Sequence, residues 1–256
     1  MATRALALLA LAACGRVGFD AREDGATMQM GDTGGPADAT NLPSGLVAWY
    51  PLDETFTGSS IVKDISGNHF DGTCGNCPTS IAGHAGGSAL HFDGSTTFLV
   101  ADAAGTALDF TADFTVAAWV MPNRVPPNTY DIFVSRSFGS GVLDTFAIDI
   151  DQTRRAEYYS HGNTSLYTTA LLPLDAWTHL AIEWRPPQTT VIYINGGVAG
   201  TGTDLATLGW DTHQLLIGAD VENGGSVAHY LLGNVDDVML FDRALTDTEI
   251  ADLASR

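Results

Sequence analysis

Asp149 and Asp151 sit two residues apart in the run Phe146-Ala-Ile-Asp-Ile-Asp151, and such a pair could act on a glycosidic bond. Retaining hydrolysis needs two carboxyl groups about 5–5.5 Å apart, one as acid and one as nucleophile. In an extended strand, residues i and i+2 share a face, with Cα atoms about 6.5–7 Å apart, so the pair fits roughly. The run has no glutamate, the nearest being Glu157. The plainer reading is a solvated strand face. A second group is oxygen-rich. Asp64, Ser66, Asn68 and Asp71 crowd one short stretch, with Gly67 and Gly72 to let it bend. Calcium takes six to eight oxygens from carboxylates, amides, carbonyls and water. The same residue types also cap turns by bonding their own backbone. Asp236 alternates in phase with Val238 and Leu240, which would aim its carboxylate at the apolar side, where an unpaired charge is costly.

Cys74 and Cys77 have three readings. Zinc needs two more ligands, for which His69 and His84 are the nearest histidines in sequence. A redox pair wants a helix start beside a βαβ unit, which Pro78 and the strand-like surroundings oppose. A disulfide is the expectation, and its small loop adds only modest stability. Aromatic side chains that could lie against a sugar are Tyr130, Tyr158, Tyr159, Tyr167 and Trp210. Trp210, in Leu-Gly-Trp-Asp-Thr-His, is the candidate for ligand contact; the plainer reading is a hydrophobic plug under a loop. No Gly-x-Ser-x-Gly elbow and no His-Glu-x-x-His is present. His179 is out of phase with Leu180, so it reads as an exposed or hydrogen-bonded histidine rather than a base.

These residues must be held by strands. From Gly45 onward, short alternating or apolar runs are separated by Gly, Asp, Asn or Pro. Phe114, Val116, Ala118 and Val120 share one face of a run, with Trp119 on the other. Leu180, Ile182 and Trp184 share a face in the next. Asn195-Gly196 is a strong hairpin signal, and Asp93-Gly94 reads as the same device. Thr246-Asp-Thr-Glu249 is a capping box, so a short helix with Ile250 and Leu253 on one face is expected near the end. Many strands and one terminal helical turn indicate an all-β, two-sheet antiparallel jelly-roll sandwich.

Charge narrows the partners. The chain has 256 residues, 30 acidic and 11 basic, for a net charge of −19. Nucleic acid is not expected, because phosphate binding needs a basic patch. The first residues carry one positive charge, Arg4, and then an Ala/Leu run too short for a transmembrane helix but long enough for a signal-peptide core. Leu11-Ala12-Ala13-Cys14 resembles the lipobox of bacterial lipoproteins. That implies cleavage after Ala13 and a lipidated Cys14; ordinary secretion is the alternative. Residues 14–43 lack hydrophobic periodicity and read as a flexible tether, ahead of a domain at 44–256.

The order of segments resembles the bacterial laminin-G-like, concanavalin A-like jelly-roll family. The matching pieces include Leu46-Val-Ala-Trp-Tyr-Pro-Leu-Asp-Glu54, Asp64-Ile-Ser-Gly-Asn68, Gly87-Ser-Ala-Leu-His-Phe-Asp-Gly94, Phe114-Thr-Val-Ala-Ala-Trp-Val120, Val191-Ile-Tyr-Ile-Asn-Gly196, Gly233-Asn-Val-Asp-Asp-Val238 and Arg243-Ala-Leu-Thr-Asp-Thr-Glu-Ile250. The resemblance covers about residues 45–256 and implies a concanavalin A-like sandwich with a short C-terminal helix. It nominates Asp64, Asn68, Asp71 and Asp236 as ligands of a structural calcium. Hydrolases of this fold resemble a strand with two glutamates around an aspartate, a pattern this chain lacks. The expectation is therefore a non-catalytic module that binds carbohydrate or protein, not an enzyme. It is lipid-anchored in a bacterial cell envelope, facing the periplasm or the cell surface. Glycoside hydrolysis by Asp149 or Asp151, and a purely structural envelope module, are the alternatives.

Overall fold

The computed structural model describes residues 42–101, 108–139, 143–161, 164–185, 189–204, 207–222 and 225–256. The expected signal peptide, Cys14 and all but the end of the tether lie outside them. No helix among the described residues is long and apolar enough to cross a membrane.

Along the chain come β1 (Leu46–Tyr50), β2 (Ile61–Val62), β3 (Gly72–Thr73), β4 (Thr79–Ala82), β5 (Ser88–Asp93), β6 (Leu99–Ala101), β7 (Phe114–Pro122), β8 (Tyr130–Phe138) and β9 (Leu143–Asp151). There follow β10 (Arg155–Ser160), β11 (Thr164–Leu171), β12 (Thr178–Trp184), β13 (Thr190–Ile194), β14 (Gly197–Gly202), β15 (Leu215–Ile217), β16 (Asp220–Glu222), β17 (Ser226–Ala228), β18 (Leu232–Phe241) and α1 (Asp247–Leu253). The first sheet runs β14-β13-β12-β7-β18-β5-β4, with β1 also paired to β18. The second runs β11-β10-β9-β8-β15-β6-β3-β2, and β16 and β17 form a small ribbon. All the pairings are antiparallel.

Alternation builds the core. Phe114, Val116, Ala118 and Val120 of β7 and Leu180, Ile182 and Trp184 of β12 point between the sheets. Phe146, Ile148 and Ile150 of β9 meet them from the second sheet. Each buried Val, Leu, Ile or Phe among them contributes about 1.5–3 kcal/mol. A second cluster covers the outer face of the first sheet: Ile250 and Leu253 of α1 pack on Ala117, Ala181, Tyr193 and Met239. Leu42 joins this cluster, so packing begins two residues before the expected boundary at 44. The capping box at Thr246 and Glu249 is present. The Asn195-Gly196 hairpin also forms, with φ of 49° and 79°.

Asp93-Gly94 is not a hairpin, contrary to the sequence expectation. β5 lies in the first sheet and β6 in the second, so the turn carries the chain between layers. The Asp93 carboxylate accepts the backbone N–H groups of Ser95, Thr96 and Thr97, which bends the chain without strand pairing. Gly218 marks a close approach of the layers. Its φ is +85°, and a Cβ there would sit 2.2 Å from the Phe92 ring.

Candidate functional site

The outer face of the second sheet carries a cavity of about 290 Å³ spanning β8 to β11. Tyr130, Asp144, Asp149, Glu157, Tyr159 and Tyr167 line it. Because Ile148 and Ile150 point inward, Ala147 and Asp149 must point outward. Glu157 and Tyr159 of β10 face outward for the same reason, since Ala156 and Tyr158 fill the core. Glu157 lies directly opposite Asp149 across the β9–β10 pair. Side chains in that relation stand about 4.5–5.5 Å apart at Cβ. Asp144 arrives by a bulge: Phe146 pairs with Arg136 but Asp144 with Ser137, so Thr145 is an extra residue. The added residue re-aims Asp144 onto the cleft face.

The electrostatics follow from burial. Asp149 is only 2% exposed, and its Oδ1 has no hydrogen-bond partner. Burial, then the neighbouring Glu157 and Asp151, hold its carboxyl well above the usual range. Burial and the nearby Asp220 push Asp144 up to about 8. Asp220 and Glu157 are raised too, burial being the largest cause for each. His229 packs against Tyr130 with the rings tilted and their centroids 4.2 Å apart, and bonds Glu222 at 2.7 Å. Burial, with Glu222 and Asp220, raises the Tyr130 hydroxyl.

Asp149 and Asp151 do not lie on a solvated strand face, since both are buried, and only Asp149 of the two lines the cleft. Asp151 shares the outer face but is tied down: it accepts from Thr153 N, Arg155 N and the Arg155 guanidinium. Against the upward push of burial, those bonds hold its carboxyl below the ordinary range. Glu157 takes its place opposite Asp149. Strand pairing alone reveals that, because no sequence spacing encodes it.

The four residues nominated for calcium do not form one ligand set. Among the described residues, the carboxylate and imidazole group compact enough for a metal is His84, Asp236 and Asp237, within 4.8 Å of one another. Asp64 is spent on its own loop: it accepts from Trp49 N, Ser66 N, Ser66 Oγ and Phe70 N. Asp71 bonds Asp64 N and pairs with Lys63. Asn68 donates to the Val47 carbonyl. Asp236 lies elsewhere because a bulge interrupts β18. Asp236 pairs with Trp119 but Met239 with Ala117, and Asp237 has φ +48°. The bulge reverses the phase, so Val238 and Leu240 point inward while Asp236 shares the outer face with Trp119. There Asp236 accepts from His84 N and lies 2.8 Å from His84 Nδ1. The residues nominated for a shared calcium therefore do not fit one.

Trp210 takes the plug reading rather than ligand contact, and His179 departs from its expectation. Trp210 packs edge-on to Phe110 and Phe114, at 5.8 and 6.4 Å, with the Arg136 guanidinium 5.1 Å from its ring. It packs against the core and is not among the residues that line the cleft. His179 is neither exposed nor hydrogen-bonded at Nδ1: it is 2% exposed beside Trp119, and burial pulls it down to about 4. The disulfide stands: Cys74 and Cys77 are bonded, with Cα atoms 5.0 Å apart.

Two antiparallel sheets with a concave cleft of acids and tyrosines on one of them make a jelly-roll domain of the lectin and glycosidase class. The chain belongs to the concanavalin A-like lectin/glucanases superfamily, whose laminin G-type family matches residues 92–251. Solved structures share the fold at low identity. Domain 4 of AbnA, an extracellular arabinanase from Geobacillus stearothermophilus in complex with arabinotriose, is 20% identical with a TM-score of 0.62, over 82% of this chain and 98% of that one. Trypanosoma rangeli sialidase in complex with the inhibitor DANA is 19% identical with a TM-score of 0.62, over 83% of this chain and 33% of that one. The binding domain of Paraclostridial Mosquitocidal Protein 1 is 16% identical with a TM-score of 0.62, over 82% of this chain and 52% of that one. The chain thus spans about a third of the sialidase and half of the mosquitocidal structure. No curated protein sequence matches it.

Proposed function

We propose that the domain binds carbohydrate without catalysis, in the cleft between β8 and β11, and is carried outside the cytoplasm on a lipid at Cys14. The observation that carries the binding reading is the cleft itself. It combines three tyrosines with a buried carboxyl, Asp149, that has one unpartnered oxygen. Small-molecule sites are concave and hold a few placed polar groups, and a cavity of about 290 Å³ is near the lower end of their range. The arabinotriose complex of the AbnA domain supports a sugar as the ligand class.

Hydrolysis is the second reading, favoured by the facing pair Asp149 and Glu157. Retaining chemistry needs one protonated and one ionised carboxyl. Burial pushes both of these toward the protonated form, and Asp151, the carboxylate held ionised nearby, is bound to Arg155. Binding without turnover fits that arrangement better.

Titration of the protein with a panel of oligosaccharides tests it. At least one neutral oligosaccharide is expected to bind with no reducing ends released. Tyr159→Ala is expected to weaken that binding about tenfold, the worth of one aromatic face. Release of reducing ends that stops in Asp149→Asn would establish the enzyme instead. For the anchor, Cys14→Ala is expected to move the protein from the membrane fraction to the soluble fraction of cells. Unchanged membrane retention would refute it.

A further inference from the structure

The carbohydrate reading leaves open what kind of sugar the cleft selects. We propose that its preferred ligand carries a free amine, as a glucosamine unit does, and that the ammonium seats against Asp149. The inference rests on the carbohydrate reading and makes it specific.

Three observations point to a cation. The cleft is lined by Asp144, Asp149 and Glu157, and no Lys, Arg or His is among its lining residues. The charged groups that act most strongly on Asp149 are acidic: Glu157, Asp151, Asp144 and Asp220. The nearest cations are already committed, Arg155 to Asp151 and His229 to Glu222. An anionic sugar such as a uronate or sialate would be desolvated against these carboxyls with nothing to pair it, which is costly. An ammonium meets the opposite situation.

The second observation is the orphan oxygen. Asp149 Oδ1 is buried, 2% of the residue is exposed, and it lacks a donor. Buried polar atoms are almost always paired, so this one marks a place where a ligand donor belongs. An ammonium brings three donors. The third is the aromatic wall. Tyr130, Tyr159 and Tyr167 border the same cavity, and a cation near tyrosine faces gains further attraction. Tyr167 already holds one cation this way, the Arg155 guanidinium at 4.0 Å from its ring.

Burial and the neighbouring Glu157 and Asp151 raise the Asp149 carboxyl, favouring its protonated form in the free cleft. Pairing with an ammonium favours the ionised form, so the carboxyl gives up its proton as the ligand enters.

The test compares two ligands that differ only at nitrogen: a fully deacetylated glucosamine tetramer and its N-acetylated counterpart. Each is titrated into the full chain at about pH 6, where the amine is charged. Calorimetry in buffers of different ionisation heat reads the protons. The deacetylated tetramer is expected to bind at least about tenfold tighter, with release of about one proton, and salt should erode the difference. Asp149→Asn is expected to abolish the difference and the proton release. Should that variant unfold, proton release by the unaltered protein still decides the matter, because the acetylated tetramer is expected to release none. Equal or tighter binding of the acetylated tetramer, or amine binding without proton release, would overturn the inference while the carbohydrate reading stands. If neither tetramer nor any neutral oligosaccharide of the panel binds, both fall.

Discussion

Asp64→Ala is expected to destabilise the domain by about 3–4 kcal/mol, equally in millimolar calcium and in chelator. One carboxylate there satisfies four donors: the backbone N–H groups of Trp49, Ser66 and Phe70, and the Ser66 hydroxyl. The bond from Trp49 joins the loop to β1, and Trp49 is itself buried, 4% exposed. Hydrogen bonds to a charged group are worth about 1.5–3 kcal/mol each, and an abandoned buried donor pays its full desolvation cost. The four are not additive, because they share one acceptor. Asp71→Ala is the internal control. Its pair with Lys63 is exposed, and such pairs contribute less than about 1 kcal/mol. Asp71 also accepts Asp64 N, so a small loss is expected, well short of that at Asp64. Urea unfolding with and without chelator measures both. A loss under about 1 kcal/mol at Asp64 would refute the hydrogen-bond account, and a loss that shrinks in chelator would return the loop to a cation-binding role.

That contrast shows how far the sequence could be read. Residue types and turn chemistry act locally, so the strands, the Asn195-Gly196 hairpin and the Thr246 capping box were legible. The inward faces of β7 and β12 were legible as well, because a two-residue period survives as long as a strand stays regular. Two bulges break that period. The one at Asp237 carries Asp236 from the predicted apolar side to the outer face, and the one at Thr145 brings Asp144 into the cleft. A bulge adds a residue without any obligatory sequence mark, so alternation read through it gives the wrong face. Glu157 was hidden for a different reason. Its meeting with Asp149 is a cross-strand register, fixed by how β9 and β10 pair rather than by neighbours in sequence. Asp93-Gly94 failed for a third: a turn's chemistry bends the chain but does not say whether the next strand joins the same sheet. Trp210 shows the same limit, since an aromatic beside loops looks alike whether it faces a ligand or the core.

The cleft's acids also make stability fall as pH rises past neutrality, by about 2 kcal/mol between pH 6.5 and 9. In the unfolded chain an aspartate titrates near 3.9. Folded, Asp144 is pushed up to about 8 by burial and by Asp220, with Glu222 adding to it and Ser137 opposing. Between those values the folded protein keeps a proton that the unfolded chain has lost. The unfolded state binds fewer protons, so stability declines with rising pH until Asp144 ionises. The contribution is complete below about pH 4 and gone above the folded value. Asp149, raised well above its usual range, acts in the same direction. His179 acts in the opposite one: held down to about 4 by burial and by His84, it contributes stability above about 6.5 that is lost as pH falls. Glu249, lowered to about 2 chiefly by Arg243, likewise loses its contribution only in acid. Below about pH 6.5 His179 offsets part of the carboxyl decline, and above it that decline runs unopposed, so the alkaline side isolates the cleft. The net charge of −19 pushes the same way by self-repulsion, but salt screens that part and reaches the buried carboxyls little. Urea unfolding at the two pH values in about 0.5 M salt therefore reads the cleft. Asp144→Asn is expected to remove most of the alkaline decline, because an amide has no proton to lose. A stability that stays level to pH 9, or a decline that survives in Asp144→Asn at high salt, would mean that these carboxyls are already ionised in the folded protein. The cleft would then hold its charge at neutral pH, and the proton release expected when an ammonium pairs with Asp149 would not occur.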